Sequence, residues 1–573
     1  MKVPLKNIEI IYCILLIFVI ACNNKKVSNE GYEIPTLSKT DKNVQEAIEV
    51  VLQSIKDNKF MLQNEAVLYY HVVNNYYQKT EYAPIWCSNN DFTPAANNFV
   101  TYLNQAALQG LFADDYNFKQ IKVLHNNLQA ASKKNIKPID WAQADVTFTN
   151  AFMAVAKDLK QGRLVVDSLS WRNDTAYYNR FFGNTIEKVK QLSNIDSLLN
   201  NIQPKHQGYV NLKSGIKAFI DSMDTKEYTY VNYPFKDSAA GVKALKVRLT
   251  EAGITITTEG IVKTLPDSVR RHNPDSIALS HALKTYQKIN GLVVDGKVGA
   301  IVIKKLNTSD KQRYNSIAIT LDRYKLLPEQ MPQKYIWVNL PGYYLNVYQN
   351  DTLAFTSKVI VGKQATPTPT LSAQISDMVL YPTWTVPSSI ISKDMLPGLK
   401  RNSNYLARRG LYLLNGKGAK INASAVNWGK YTKGIPFRIQ QGSGNSNALG
   451  VIKFNFENPY SVYLHDTNQR YLFKNGVRAL SHGCVRVQEW QKLANYIAVN
   501  DSLNLKLGDT LTYTQDSIIN WMAEKRNRRV VVKNKMPLFI TYYTCELQNG
   551  KIKFFDDIYF DDRDLKQKYF ANK

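Results

Sequence analysis

The sequence predicts a multi-domain α+β protein: a helical scaffold domain, a small helical module, and a mainly β domain carrying an inserted cap. Three observations carry that expectation. The chain has 573 residues, 44% of them hydrophobic and 21% charged, a globular composition spread over more length than one core fills. Apolar spacing is helical through residue 307. From Lys334 the period becomes two, with Ile336, Val338 and Leu340 alternating with Tyr335, Trp337 and Asn339.

Residues 42–235 read as the helical scaffold. In "DVTFTNAFMAVAKDLKQGRL", Val146, Phe148, Phe152, Val155 and Leu159 fall near one face, and Gly162 supplies a stop. No cluster of acid/base or ligating groups stands out there. Residues 236–310 read as a separate module: "GVKALKVRLTEAGI", a polar insertion, "IALSHALKTYQKINGL", and a turn at Asp295-Gly296. The β domain is expected over 330–515, with a hairpin turning at Asn350-Asp351 and strand-like stretches continuing to "SHGCVRV". "PSSIISKDMLPGLKRNSNYLARRG" interrupts it as a helical cap, about 388–431. Residues 516–573 are left as a C-terminal extension.

The N-terminus indicates a compartment. Two lysines precede an apolar run from Ile10 to Ala21 that is short for a membrane span, so 1–22 reads as a signal peptide. Val19-Ile20-Ala21-Cys22 resembles the lipobox of bacterial lipoproteins, which implies lipid on Cys22. The polar stretch 23–41 then reads as a tether. The expected location is the cell envelope, on the periplasmic side, held to a membrane by the lipid. A net charge of +26 draws the protein to a polyanion, and export argues against nucleic acid as that partner.

Beyond Cys13 and Cys22, three cysteines remain: Cys87, Cys484 and Cys545. Cys87 and Cys545 are either one disulfide or two separate buried thiols. Cys484, in "SHGCVRV", has chemistry around it. A thiol is only a few per cent ionised at neutral pH and needs a base or a positive environment to act as nucleophile. His465 in "YLHDT" is a candidate base, expected on a strand beside one ending in Cys484. Arg486 adds positive potential, as does a helix read from Trp490, Leu493, Ala494 and Ile497 that would place its N-terminus near the thiol. Gly483, lacking a side chain, would let a carbonyl approach the Cys484 amide. The competing readings are a metal set of His465, His482, Cys484 and Asp466, which lacks CxxC or HxxxH spacing, and a packed cysteine beside incidental histidines.

"HDT" followed by "SHGCVRV", with its cysteine nineteen positions past the histidine, is similar to the catalytic motif of the YkuD-type L,D-transpeptidases. "VIVGKQATPTPT", "YPTWTVPSSIISKDMLP", "NALGVIKFNFENPYSVYLHDT" and "LFITYYTCELQNGKIKFFDDIY" resemble the large multi-domain YcbB-like class, and "LKQGRL" resembles its scaffold. "ALKTYQKINGLVVDGKVG" resembles a three-helix peptidoglycan-binding domain, with a longer insertion than usual.

The resemblance implies Cys484 as nucleophile and His465 as general base, oriented by the backbone carbonyl of Asp466. It implies His482, Gly483 and Arg486 around the oxyanion hole and substrate carboxylate, and Tyr463, Trp384 and Ser481 in substrate binding. It implies peptidoglycan stem peptides as partners, with neither cofactor nor metal, and a thioester route to 3→3 cross-links. An L,D-carboxypeptidase and an inactive lipid-anchored wall-binding scaffold are the alternatives.

Overall fold

The computed structural model describes residues 26–27, 33–34, 36–63, 65–131, 136–164, 175–192, 194–257, 274–290, 292–402, 404–505, 510 and 512–569. The leader, Cys22 and most of the tether lie outside them, as does 258–273 of the module's insertion. Among the described residues no helix is long and apolar enough to cross a membrane. The described residues before Pro204, apart from 108–111 and 161–165, form one compact unit; those two stretches and everything from Pro204 form the other.

The first unit is helical. Its helices include Lys39–Asp57, started by Ser38 accepting from the Asp41 N–H, and Pro94–Asn104, started by Thr93 with proline at the first turn. The long helix Pro138–Gln161 carries the core face read from the sequence. Trp86 packs against Phe99 and Phe152 at ring separations of 5.4 and 5.5 Å. Asp145 on that helix is buried yet fully used. It accepts N–H bonds from Ile85, Trp86 and Cys87 at 3.0, 2.7 and 3.2 Å and the Tyr77 hydroxyl at 2.6 Å, as a buried carboxylate requires.

In the second unit, helices Gln207–Ser214 and Ile216–Asp221 pack on the hairpin Cys545–Gln548 and Lys551–Phe554. A Cβ on Gly215 would meet Leu547 at 2.6 Å. These helices lie in the second unit, although the sequence reading assigns them to the 42–235 scaffold. The small module has helices Ser238–Glu251, Pro274–Ile289 and Ala300–Asn307 around Leu245, Leu249, Leu283 and Ile303. Gln287 locks its turn: its amide donates to Asp295 Oδ1 at 2.8 Å and accepts from the Gly296 N–H at 2.8 Å.

The main sheet has nine strands: β1 Lys334–Asn339, β2 Tyr344–Gln349, β3 Thr352–Gly362, β4 Leu371–Leu380, β5 Ile452–Phe456, β6 Leu464–His465, β7 Ala479–Ser481, β8 Val485–Val487 and β9 Arg528–Thr541. Their order is β7-β3-β8-β6-β5-β4-β9-β1-β2, and β2 also pairs with β3. The sheet thus closes into a ring of eight with β7 attached at β3, and closure removes the exposed edges. The hairpin at Asn350-Asp351 has φ of 49° and 59° at those residues, as the sequence predicts. Alternation sends Ile452, Phe454, Leu464, Val485 and Val487 into one core with Leu493 and Ile497 of helix Trp490–Leu503.

Two sequence expectations are corrected. Residues 516–573 are no mere extension, because β9 sits in the middle of the sheet, antiparallel to β4 and parallel to β1. The cap holds the expected helical turns at Ser388–Ile390, Ile391–Met395 and Leu396–Arg401 but is neither wholly helical nor confined to 388–431. Strands Trp384–Thr385, Leu411–Leu414, Lys420–Ile421 and Arg438–Gln441 form their own sheet, over a separate core of Leu396, Leu399, Leu413, Trp428 and Ile439. "GLYLL" pairs with Arg438–Gln441 and not with the ring, so the cap spans 384–441.

Candidate active site

The ring's alternation creates the site. β6 runs parallel to β8 with Leu464 opposite Val485 and His465 opposite Arg486. Since Leu464 and Val485 face the core, Tyr463 and His465 share the opposite face with Cys484 and Arg486. On the other side of β6, antiparallel β5 sets Lys453 opposite His465.

The strand expectation for Cys484 shifts by a few residues. The cysteine does not end a strand: it closes the bend between β7 and β8. Nor does a helix N-terminus adjoin it, because β8 intervenes and the helix starts at Trp490. The bend is braced from several sides. The Ser481 hydroxyl donates to the Cys484 carbonyl at 2.6 Å and accepts the Gly483 N–H at 3.1 Å. Thr368 Oγ1 donates to the Gly483 carbonyl at 2.7 Å and accepts the Gly362 N–H at 2.9 Å. Gly483 has φ of 119°, a conformation closed to other residues. Among the described residues nothing hydrogen-bonds the Cys484 N–H, which leaves it available as an oxyanion donor.

Burial raises the Cys484 thiol above its ordinary value, against the lowering influence of Tyr463, Lys453 and Arg486. Burial, then the Arg486 charge, lowers His465 to about 3. Both groups are therefore neutral at pH 7: a thiol beside an imidazole rather than a preformed ion pair. His465 Nδ1 is buried without a hydrogen-bond partner, near the backbone of Asp466 and Leu449 that favours its protonated form. The Asp466 carboxylate is occupied elsewhere, by Arg470 at 2.6 and 3.1 Å and the Val451 N–H at 3.1 Å. It leaves the backbone as the part of Asp466 near the ring.

The remaining expected residues divide. Tyr463 and His465 rings meet edge-on at 5.6 Å, and the Tyr463 side chain interacts with Cys484 and Trp384. Arg486 interacts with Cys484, donates to Gln469 at 3.0 Å and keeps its buried Nε unpartnered. Ser481, expected to touch substrate, instead spends its hydroxyl inside the bend. His482, expected at the oxyanion hole, turns to the cap, where its Nε2 lies 2.6 Å from Asp394 Oδ2 and 3.4 Å from Lys363 Nζ. The four residues of the metal reading thus take separate partners, and among the described residues no three His, Cys, Asp or Glu side chains gather as a metal site. Cys87 and Cys545 are free, buried thiols.

Sequence reasoning missed Thr368 and Lys453. Lys453 is half-buried, and its Nζ stands 4.0 Å from the Tyr463 ring centre. The alternation of "VIKFNF" was the available signal, since it places the lysine on the face of His465.

Residues 333–509 match the family described as the L,D-transpeptidase catalytic domain, YkuD, and residues 71–215 match one described as a scaffold domain. A putative L,D-transpeptidase of Haemophilus influenzae is 32% identical over 249 residues, 44% of this chain and 48% of the relative, so the match spans about half of that protein's length. Among solved structures, the Ldtfm–avibactam carbamoyl enzyme aligns at TM-score 0.16 and 11% identity over 37% of this chain and 49% of that one. A cysteine-to-serine mutant of the Enterococcus faecium L,D-transpeptidase aligns at TM-score 0.14 and 10% identity over 37% and 50%. Residues 333–509 are thus a YkuD-type L,D-transpeptidase catalytic domain, carried in a multi-domain chain behind a scaffold domain.

Proposed function

We propose that this chain is a cysteine acyltransferase that joins peptidoglycan stem peptides by 3→3 cross-links. The observation that carries the reading is the β6–β8 pairing, which sets His465 and Cys484 on one face beside an open backbone N–H. His465 takes the thiol proton as Cys484 Sγ attacks the carbonyl of the third residue of a donor tetrapeptide. The Cys484 N–H receives the developing oxyanion. The amide C–N bond then breaks, the imidazolium returns its proton to the departing D-alanine amine, and a thioester remains. An amine on a neighbouring stem attacks that thioester, His465 takes its proton, the C–S bond breaks to release the cross-link, and the imidazolium returns the proton to the departing thiolate. Water as acceptor gives L,D-carboxypeptidase hydrolysis instead, and the cap beside the thiol would shield the thioester from it.

We read residues 1–22 as a lipoprotein leader, so that lipid on Cys22 holds the chain on the periplasmic side of the envelope. The positive charge then meets an anionic wall. Incubating the purified protein with muropeptide tetrapeptides, beside Cys484→Ala, tests the reaction: cross-linked dimer or tripeptide is expected from the native chain alone, and unchanged substrate in both samples refutes it. A carbapenem should add its mass to the native chain but not to Cys484→Ala.

A further inference from the structure

Lys453 is a charge without an evident counterpart. Its register partner is His465, its neighbours Ile452 and Phe454 face the core, and its own side chain shares the face of Tyr463, His465 and Cys484. No carboxylate of a described residue lies within ion-pair distance of it. Asp377, the carboxylate that acts on it electrostatically, is occupied by Arg529 at 3.1 Å and Asn455 at 2.6 Å. Its ammonium rests on the Tyr463 ring, whose side chain interacts with the Cys484 thiol. A half-buried ammonium held by a ring, with no carboxylate in ion-pair contact, is further stabilised when the neighbouring thiol becomes negative.

We propose that Lys453 is the standing counter-cation of the Cys484 thiolate, acting across the sheet and through the Tyr463 ring. The inference rests on Cys484 being the nucleophile. Lys453 exchanges no proton: the thiol proton goes to His465, and the sulfur's charge is balanced by the Lys453 ammonium, whose pKa burial lowers while Cys484 raises it. The ammonium is in place before the thiol gives up its proton and again when deacylation releases the sulfur. When the thioester collapses, the departing thiolate again meets Lys453. Arg486 contributes from the other side, but its guanidinium is tied to Gln469. Lys453 is therefore a positioning residue for charge rather than a group that reacts.

The test is the pH dependence of Cys484 alkylation by iodoacetamide in the full chain, with adducts assigned by peptide mass. Lys453→Met should raise the midpoint by about one pH unit, making alkylation about tenfold slower below both midpoints. Lys453→Arg, which keeps the charge, should stay near the native midpoint. Lys453→Gln, which keeps a polar side chain without the charge, should reproduce the shift and decides the matter if the methionine variant does not fold. Neutral variants that titrate with the native chain overturn the proposal, as does an arginine variant that shifts like methionine. The assay uses no peptidoglycan, so a chain that fails to cross-link stems yet shows the shift refutes the acceptor chemistry and leaves this inference standing.

Discussion

Gly450→Ala should disable the site without touching a reacting atom. Gly450 has φ of 62°, and a Cβ there would lie 2.3 Å from Asp466 Oδ2 and 2.4 Å from its Cγ. Ordinary contact begins near 3.4 Å, so Asp466 must retreat by about 1 Å. Asp466 is fully buried and pinned by Arg470 and the Val451 N–H, and the residue before it is His465. The left-handed backbone costs alanine about 1–2 kcal/mol, and losing the buried carboxylate's bonds adds about 1–3 kcal/mol. Moving the base by about 1 Å costs about a hundredfold in turnover. Denaturant unfolding of the chain, together with cross-linking rates on muropeptides, would register both effects. Gly476→Ala is the control, since its Cβ would meet nothing within 4 Å. A Gly450→Ala protein as stable and as fast as the Gly476→Ala protein would refute the claim that this glycine sets the position of His465.

The other expectations are briefer. Because burial raises the Cys484 thiol and lowers His465 to about 3, iodoacetamide alkylation should climb steadily into alkaline pH; a plateau already reached below pH 6 would reveal a resting ion pair instead. Asp394→Ala, which severs the half-exposed contact of the cap with His482, removes about 1 kcal/mol of coupling and should raise hydrolysis relative to cross-linking about fivefold; an unchanged product ratio would deny the contact that role. Asp322 is buried, which opposes its charge, yet Arg163 at 3.0 Å and Lys325 at 2.7 Å hold its carboxyl below the usual range. Its contribution to stability is present above the ordinary carboxylate range and is lost as pH falls through the lowered value, so Asp322→Asn should destabilise the chain by about 3–5 kcal/mol at pH 7, with the gap narrowing in acid when unfolding is followed across pH.

The parts legible in the sequence were those that local physics decides. Alternation from Lys334, the Asn350-Asp351 turn and the Gly162 helix stop all survive, because each depends on neighbours within a few residues. The pairing of Cys484 with His465 was suggested by a compact motif, and the β6–β8 register brings the two onto one face. What escaped depends on partners far along the chain. His482 finds Asp394 at a separation of 88 residues, so nothing local turns it from the oxyanion hole to the cap. The cap's "GLYLL" looks like any strand of the main sheet until its partner, Arg438–Gln441, is known. β9 was hidden because its halves pair with β4 out of step: Ile375 opposes Met536 while Asp377 opposes Val531, a bulge that blurs the period. Lys453 sits where alternation alone predicts a solvated residue; only the ring of Tyr463 and the thiol give it meaning.

The position of β9 also fixes an order of events. The strands bearing His465 and Cys484 are synthesised well before Arg528–Thr541, which arrives after about nine-tenths of the chain. Until then β4 and β1 lack the neighbour between them, and the ring is a curved sheet with two unsatisfied borders, a state prone to wrong pairing with other chains. Arrival of Arg528–Thr541 is thus what seals the ring, and the Cys484 thiol gains its finished surroundings only once that strand is in place.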